Sequence, residues 1–222
     1  MLNTLKEKIF NRKKYSTAQQ IHEKYKAFTM VPEQVYVRNL AIAERISGLD
    51  GCIVECGVWR GGMIAGLADM LGSERSYYLL DSFQGLPKAQ EIDGESAREW
   101  QENVNSPNFY DNCCAPEEYA RKAMSISKAR NYSLYPGWFE DTLPNFKPDK
   151  EIALLRLDAD WYESTTLCLN YLFNLVAKGG LIILDDYYDW DGCSKAVHDF
   201  LSVNSRNEKI DSFNGICFLV KK

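Results

Sequence analysis

Residues 151–190 read EIALLRLDADWYESTTLCLNYLFNLVAKGGLIILDDYYDW. Two apolar runs, EIALLRLDAD (151–160) and GGLIILDDYYDW (179–190), each end in aspartates. Between them ESTTLCLNYLFNLV (163–176) carries apolar side chains at helical spacing. A strand buried on both faces reads as a continuous apolar run, and IALLRL and LIIL do so. Strand, helix and strand form one βαβ step, which sets the two strands parallel and makes their ends neighbours. Asp158 and Asp160 therefore share a rim with Asp185 and Asp186.

The alternation continues outward. QVYVRNLAIAERIS (34–47) reads as a helix stopped by Gly48, and CIVECGV (52–58) as a strand leading into the small-residue turn WRGG. MIAGLADML (63–71) is a helix closed by Gly72, SYYLLDSF (76–83) a strand, and NYSLYPGWF (131–139) contains another. GCSKAVHDFLS (192–202) is a helix and GICFLVKK (215–222) a final strand; if EKIDSFN before it is extended, the two form a hairpin. The expectation is an α/β fold: a mostly parallel, doubly wound, seven-stranded sheet with helices on both faces and an antiparallel C-terminal strand. Residues 88–131 interrupt the pattern. They are polar, and only PEEYARKAMSIS reads as helix, with Pro116 at the first helical position. Such an insertion is equally a lid, a substrate loop or a surface excursion. Residues 1–33 are expected to form an N-terminal arm or lid, and residues 34–222 one domain containing the insertion.

Bulk properties narrow the partners. A chain of 222 residues with 45% hydrophobic and 26% charged residues suits one globular domain. A net charge of −5 argues against nucleic acid or an anionic membrane as the main partner. The basic cluster Lys6, Lys8, Arg12, Lys13 and Lys14 reads as a solvated terminus. Seven cysteines include no C-x-x-C pair, so zinc-knuckle and thioredoxin-type chemistry are not indicated. Most lie in apolar runs as small core residues. Reduced thiols suit a cytoplasmic protein. MLNTLKEKIFNRKK lacks the apolar region of a signal peptide, and no apolar stretch is long enough to span a bilayer.

Open α/β sheets bind ligands outside the carboxyl ends of their strands. Here that rim is acidic: Glu55, Asp81, Asp158 with Asp160, and Asp185 with Asp186. The loop ECGVWRGG (55–62) has glycines that let backbone approach a ligand, but it is neither G-x-G-x-x-G nor a P-loop. Glu55 would repel a pyrophosphate and suits a cationic or amino-bearing ligand such as S-adenosylmethionine. Asp81, at the next strand end, lies where a carboxylate takes both hydroxyls of a ribose. Asp158, Asp185 and Asp186 are expected to gather, and clustered carboxylates repel one another unless a cation joins them. All-oxygen ligands select a hard ion, Mg²⁺ first, with Mn²⁺ or Ca²⁺ as alternatives. The bland reading is a tight strand–helix turn beside a solvated acidic rim.

ECGVWRGG, LLDSFQGLP, YPGWFEDTLP, LLRLDADWYEST, GGLIILDDY and GCSKAVHDF, taken in order, resemble the macrocin O-methyltransferase family. The resemblance spans most of residues 29–200. It implies a Rossmann-like class I methyltransferase fold, S-adenosylmethionine, Mg²⁺ and methyl transfer to a hydroxyl, commonly of a sugar. It assigns Glu55, Gly57, Trp59, Arg60, Gly61 and Gly62 to the cofactor loop and Asp81 and Ser82 to ribose. It puts Gly137, Trp138 and Phe139 near the adenine, and Thr29 and Met30 over the cofactor. Asp158 is implied beside the cofactor and, with Asp185 and Asp186, as a metal ligand. It also points to a homodimer, the commonest assembly. Residues 88–131 and those before Thr29 depart from the family pattern, so the acceptor stays open.

Such an enzyme needs a base. Asp186 is the first candidate, with Asp160 and Asp189 behind it. His198 sits mid-helix and reads as structural, and His22 has no visible partner. Among Trp59, Trp138, Trp161, Tyr162, Tyr187, Tyr188 and Trp190, two or three are expected to wall the pocket, the rest being core. The expected partner is a small-molecule or carbohydrate acceptor. A catechol-type diol methyltransferase, a non-catalytic cofactor-binding protein and an NAD-dependent oxidoreductase are the competing readings.

Overall fold

The computed structural model describes residues 16–222. The basic cluster between Lys6 and Lys14 lies outside the described residues. The strands are β1 (Cys52–Cys56), β2 (Ser76–Asp81), β3 (Asn131–Pro136), β4 (Ile152–Leu157), β5 (Val176–Leu184), β6 (Asp211–Phe213) and β7 (Ile216–Val220). They form one sheet in the order β3-β2-β1-β4-β5-β7-β6. The first five run parallel; β7 pairs antiparallel with both β5 and β6. The β6–β7 hairpin turns at Asn214 and Gly215, both with positive φ, as a two-residue type I′ turn requires. The helices are α1 (residues 16–25), α2 (Glu33–Ala43), α3 (Gly62–Leu71), α4 (Glu95–Glu102), α5 (Glu117–Ser125), α6 (Phe139–Thr142), α7 (Tyr162–Leu172) and α8 (Asp191–Val203).

Successive strand residues point to opposite faces, and both faces are covered. Ile53, Leu154 and Ile183 pack with Tyr36, Leu40, Ile64 and Met124 of α2, α3 and α5. Their neighbours Val54, Leu155 and Ile182 pack with Cys168, Leu172, Val197 and Phe200 of α7 and α8. That double burial is why IALLRL and LIIL carry no alternation. All seven cysteines are free, five of them buried.

Local differences from the sequence reading have physical causes. Strand β5 begins at Val176 rather than Gly179. Val176 pairs with Ile152 and Leu181 with Leu154, so the intervening residues bulge out and hide the strand start from an apolar-run reading. Pro116 caps α5 from outside: its ψ of 139° is not helical, and the helix starts at Glu117. Helix α4 was not legible, because ESAREWQE offers only Ala97 and Trp100 to an apolar neighbour. Helix α5 is a crossover helix between β2 and β3, with Ala120, Ala123 and Met124 in the main core. In the stretch read as an N-terminal arm, Ala18, Ile21 and Tyr25 of α1 are buried in that same core. His22 does have a partner: its ring meets Tyr36 edge-on, with centroids 5.1 Å apart.

Candidate functional site

The glycine loop follows β1 and is held from two sides. Gly57 has φ +80°, and a Cβ there would lie 1.6 Å from the backbone oxygen of Asp158. Only glycine lets β1 and β4 end this close together. From the other side, Asp81 at the end of β2 clamps the loop. Its Oδ2 accepts from the N–H groups of Val58 (2.6 Å) and Trp59 (2.8 Å), and its Oδ1 from Phe83 (2.6 Å). Each carboxylate oxygen has two acceptor positions, so Oδ1 keeps one for a ligand hydroxyl. Burial raises the Asp81 pKa, against the partial opposition of these three donors. Gly61 caps α3 in the left-handed conformation, against Ala120 of α5.

Arg156 was not picked out from sequence, yet it organises the rim. It lies fully buried on β4, in register with Glu55 of β1. Its Nη1 donates to Glu55 Oε1 (2.8 Å) and Asp158 Oδ2 (2.7 Å), and its Nη2 lies 2.7 Å from Asp185 Oδ1. Burial alone would lower the arginine pKa, but the three carboxylates hold it well above its ordinary value. The available signal was a single cation inside the run IALLRL, since a charge there must be paired. Glu55 keeps Oε2 buried and unpartnered. Burial pushes its pKa up to about 8, against the pull of Arg156.

The acids do gather at one rim. Carboxylate oxygens of Asp158, Asp160 and Asp186 all lie within 4.8 Å of one another. Asp186 Oδ2 accepts the Asp160 N–H (3.0 Å), and Asp160 Oδ1 accepts Trp190 Nε1–H (3.0 Å). Asp160 has φ +56°, an uncommon conformation for a non-glycine residue that turns its N–H toward Asp186. Asp185 stands outside this trio, where it pairs with Arg156. Burial and mutual repulsion push Asp160 up to about 8 and Asp186 well above the carboxylate range. Asp158 rises only to about 6, because Arg156 opposes its burial. Three protonation-prone carboxylates around one point are the donor set a hard divalent cation takes.

One cavity of about 1000 Å³ joins these parts. Glu55, Gly57, Trp59 and Gly62 line it from the glycine loop, Asp81 from the end of β2 with Ser82 just after it, and Trp138 and Phe139 from the start of α6. Thr29 and Met30 line it from the segment before α2, and Asp158, Asp160, Asp185, Asp186 and Asp189 from the acidic rim. Arg60, Gly61 and Gly137 are not among the lining residues. The Arg60 guanidinium lies over Trp59 (4.3 Å) and Tyr119 (4.7 Å). Trp190 and Tyr188 are on the wall, whereas Trp161 is buried behind it. Tyr162 bonds Asp199, and Tyr187 bonds His198 at 2.9 Å, away from the cavity. The unpredicted lining residues Trp100, Asn108 and Tyr110 come from the polar insertion.

Residues 2–222 match the macrocin-O-methyltransferase (TylF) family. The chain belongs to that family. It is 34% identical over 179 residues to 8-demethyl-8-(2,3-dimethoxy-alpha-L-rhamnosyl)-tetracenomycin-C 4'-O-methyltransferase of Streptomyces olivaceus, covering 76% of this chain and 64% of that protein. It is 34% identical over 165 residues to demethyldecarbamoylnovobiocin O-methyltransferase of Streptomyces niveus, covering 69% of this chain and 59% of that one. The chain thus spans less than two thirds of the length of either relative. Among solved structures it is similar to the O-methyltransferase NovP, with a TM-score of 0.73 and 27% identity over 88% of this chain and 82% of that one. The class I methyltransferase architecture implied by the ordered motifs is the architecture of this macrocin-O-methyltransferase family chain. No helix among the described residues is long and apolar enough to cross a membrane.

Proposed function

We propose that this chain transfers a methyl group from S-adenosylmethionine to a hydroxyl of a small-molecule or carbohydrate acceptor, most simply a sugar, with Mg²⁺ at the acidic rim and Mn²⁺ or Ca²⁺ as substitutes. The observation that carries the reading is one cavity with two ends: a glycine loop with the unpartnered Glu55 Oε2, and the trio Asp158, Asp160 and Asp186. The two relatives described above are both O-methyltransferases, which supports it. Glu55 Oε2 suits the ammonium of the cofactor's amino-acid end, and Asp81 suits its ribose. Trp138, Phe139, Thr29 and Met30 supply apolar surface around the nucleoside.

Asp158 and Asp186 would hold the cation, with Asp160 at its edge. When bound, a divalent cation supplies Lewis acidity that lowers the pKa of an acceptor hydroxyl. The remaining work falls to the chain. A hydroxyl oxygen held in this cavity opposite the donor's methyl group would turn a bimolecular step into an oriented one. A bond would form between that oxygen and the methyl carbon as the sulfur–carbon bond breaks, its electron pair returning to sulfur. The hydroxyl proton would go to Asp160, at the edge of the cation site. Asp186, first in the sequence reading, is assigned to the cation instead, which leaves Asp160 as the base. A cytoplasmic homodimer completes the proposal.

Calorimetric titration with S-adenosylmethionine, with and without Mg²⁺, tests this reading. Binding is expected for the wild type and is expected to weaken in Glu55→Gln. A wild type that binds no S-adenosylmethionine under either condition overturns it.

A further inference from the structure

We propose that Trp100 and Trp190 form the specificity-determining wall of the acceptor subsite, selecting acceptors that present the apolar face of a ring. The inference rests on the methyl-transfer reading and concerns the insertion, the part of the chain least legible from sequence.

Trp100, Trp161 and Trp190 form one cluster, with ring centroids 5.4–6.3 Å apart. A satellite core would bury all three. Only Trp161 is buried, at 2% exposure; Trp100 and Trp190 are half-buried and line the cavity. Each indole N–H has a fixed acceptor: Pro87 O for Trp161, Asn108 O for Trp100 and Asp160 Oδ1 for Trp190. With the polar edges tied down, carbon faces are left for the cavity. Trp190 reaches the acidic trio directly through Asp160, so the apolar wall adjoins the carboxylates.

Helix α4 supports this role. It is polar except at Ala97 and Trp100, and Trp100 is the residue it delivers to the cavity. The segment that carries it is pinned at several points. Gln101 Nε2 donates to Pro87 O and Asn112 Oδ1, both at 2.9 Å, while Asn112 Nδ2 donates to Leu86 O at 2.8 Å. Asp93 Oδ1 accepts the N–H of Tyr162 at the start of α7, at 2.7 Å. Beyond α4, Tyr110, Asp111, Asn112 and Cys113 all have φ between +49° and +59°. A left-handed turn of four non-glycine residues is unfavourable by itself and persists where its surroundings dictate it. It brings Tyr110 to the cavity, edge-on to Trp59 at 6.2 Å. Rigid aromatic surface beside a few fixed polar groups is how pockets hold a small ring.

The test uses the full chain with S-adenosylhomocysteine and Mg²⁺, and methyl α-L-rhamnopyranoside as the ring probe, read by saturation-transfer NMR and tryptophan fluorescence. The wild type is expected to bind the probe. Trp100→Ala is expected to bind it about tenfold more weakly, the loss of one stacking contact with its buried area. Its S-adenosylhomocysteine affinity should stay within about twofold, and Trp100→Tyr should restore most probe binding. Trp190→Phe keeps an aromatic face but loses the bond to Asp160, so it is expected to keep probe binding and lower kcat. Equal probe binding by wild type and a folded Trp100→Ala overturns the wall, as does a wild type that binds S-adenosylhomocysteine but no probe. A wild type that binds no S-adenosylhomocysteine overturns the methyl-transfer reading itself, and this inference with it.

Discussion

Arg156 Nη1 on β4 lies 2.8 Å from Glu55 Oε1 on β1, and both side chains are 1% exposed. The same guanidinium reaches Asp158 and Asp185, so one buried cation joins the proposed cofactor end of the cavity to the acidic rim. A buried ion pair adds little net stability over an apolar pair, but losing one partner leaves the others uncompensated.

Arg156→Met should therefore destabilise the chain by about 3–5 kcal/mol, since Glu55, Asp158 and Asp185 then lose their counter-charge. Arg156→Lys should recover part of this, because a single ammonium cannot reproduce the planar fork. Urea unfolding monitored by circular dichroism measures both. A folded Arg156→Met with an unchanged midpoint would contradict the role assigned to this residue.

Gly57→Ala should be more damaging than its size suggests. The added Cβ meets the backbone oxygen of Asp158 at 1.6 Å, and backbone cannot rotate aside as a side-chain tip can. The positive φ adds strain for any L side chain. Gly72→Ala is the matched control: φ is also positive, but nothing lies within 4 Å of the new Cβ. Thermal melts and S-adenosylmethionine titration should show a large loss for Gly57→Ala and a small one for Gly72→Ala.

These residues also show what sequence could and could not convey. The sheet and its acidic rim were legible because double burial makes β4 and β5 apolar throughout, and the βαβ step forces their ends together. Gly57 and Asp81 were legible as residue types at strand ends. Arg156 was passed over because its value lies in three partners from different elements, which one-dimensional spacing does not reveal. The exchange of Asp185 for Asp160 within the close trio was hidden for the same reason: Arg156 draws Asp185 aside, and the positive φ at Asp160 turns that residue inward. Helix α4 was missed because a polar segment that docks through one indole has almost no hydrophobic period.

The crowded carboxylates predict a pH dependence of definite sign. Asp158 and Asp160 have folded pKa values of about 6 and about 8, raised above an ordinary 3.8. A raised carboxylate pKa means that the folded state holds its proton more tightly. The associated stability is fully present below the unfolded value and is lost as pH rises through the folded ones. Without divalent cations the melting temperature should therefore fall between about pH 4 and pH 8 from this source. A cation competes with those protons, so stabilisation by Mg²⁺ should be larger at pH 8 than at pH 6. Scanning fluorimetry in EDTA and in MgCl₂ across that range measures it; an Mg²⁺ effect that shrinks with rising pH would contradict the assignment.

Asp185 and its neighbour Asp186 should respond differently to substitution. Sequence treats them alike, as adjacent acids after β5. In the structure Asp186 lies within the trio with Asp158 and Asp160, while Asp185 Oδ1 lies 2.7 Å from Arg156. Asp186→Asn removes charge from the centre of the trio and leaves Arg156 with all three of its carboxylates. It should abolish measurable Mg²⁺ binding while leaving the fold intact. Asp185→Asn removes charge next to Arg156, so its first effect should be on stability, with Mg²⁺ affinity reduced by a smaller factor. Calorimetry with Mg²⁺ and urea unfolding on both variants gives a two-by-two comparison. Equal losses of Mg²⁺ affinity would make Asp185 a ligand in its own right, released by Arg156 when the cation arrives, and would restore the set Asp158, Asp185 and Asp186 expected from the family resemblance.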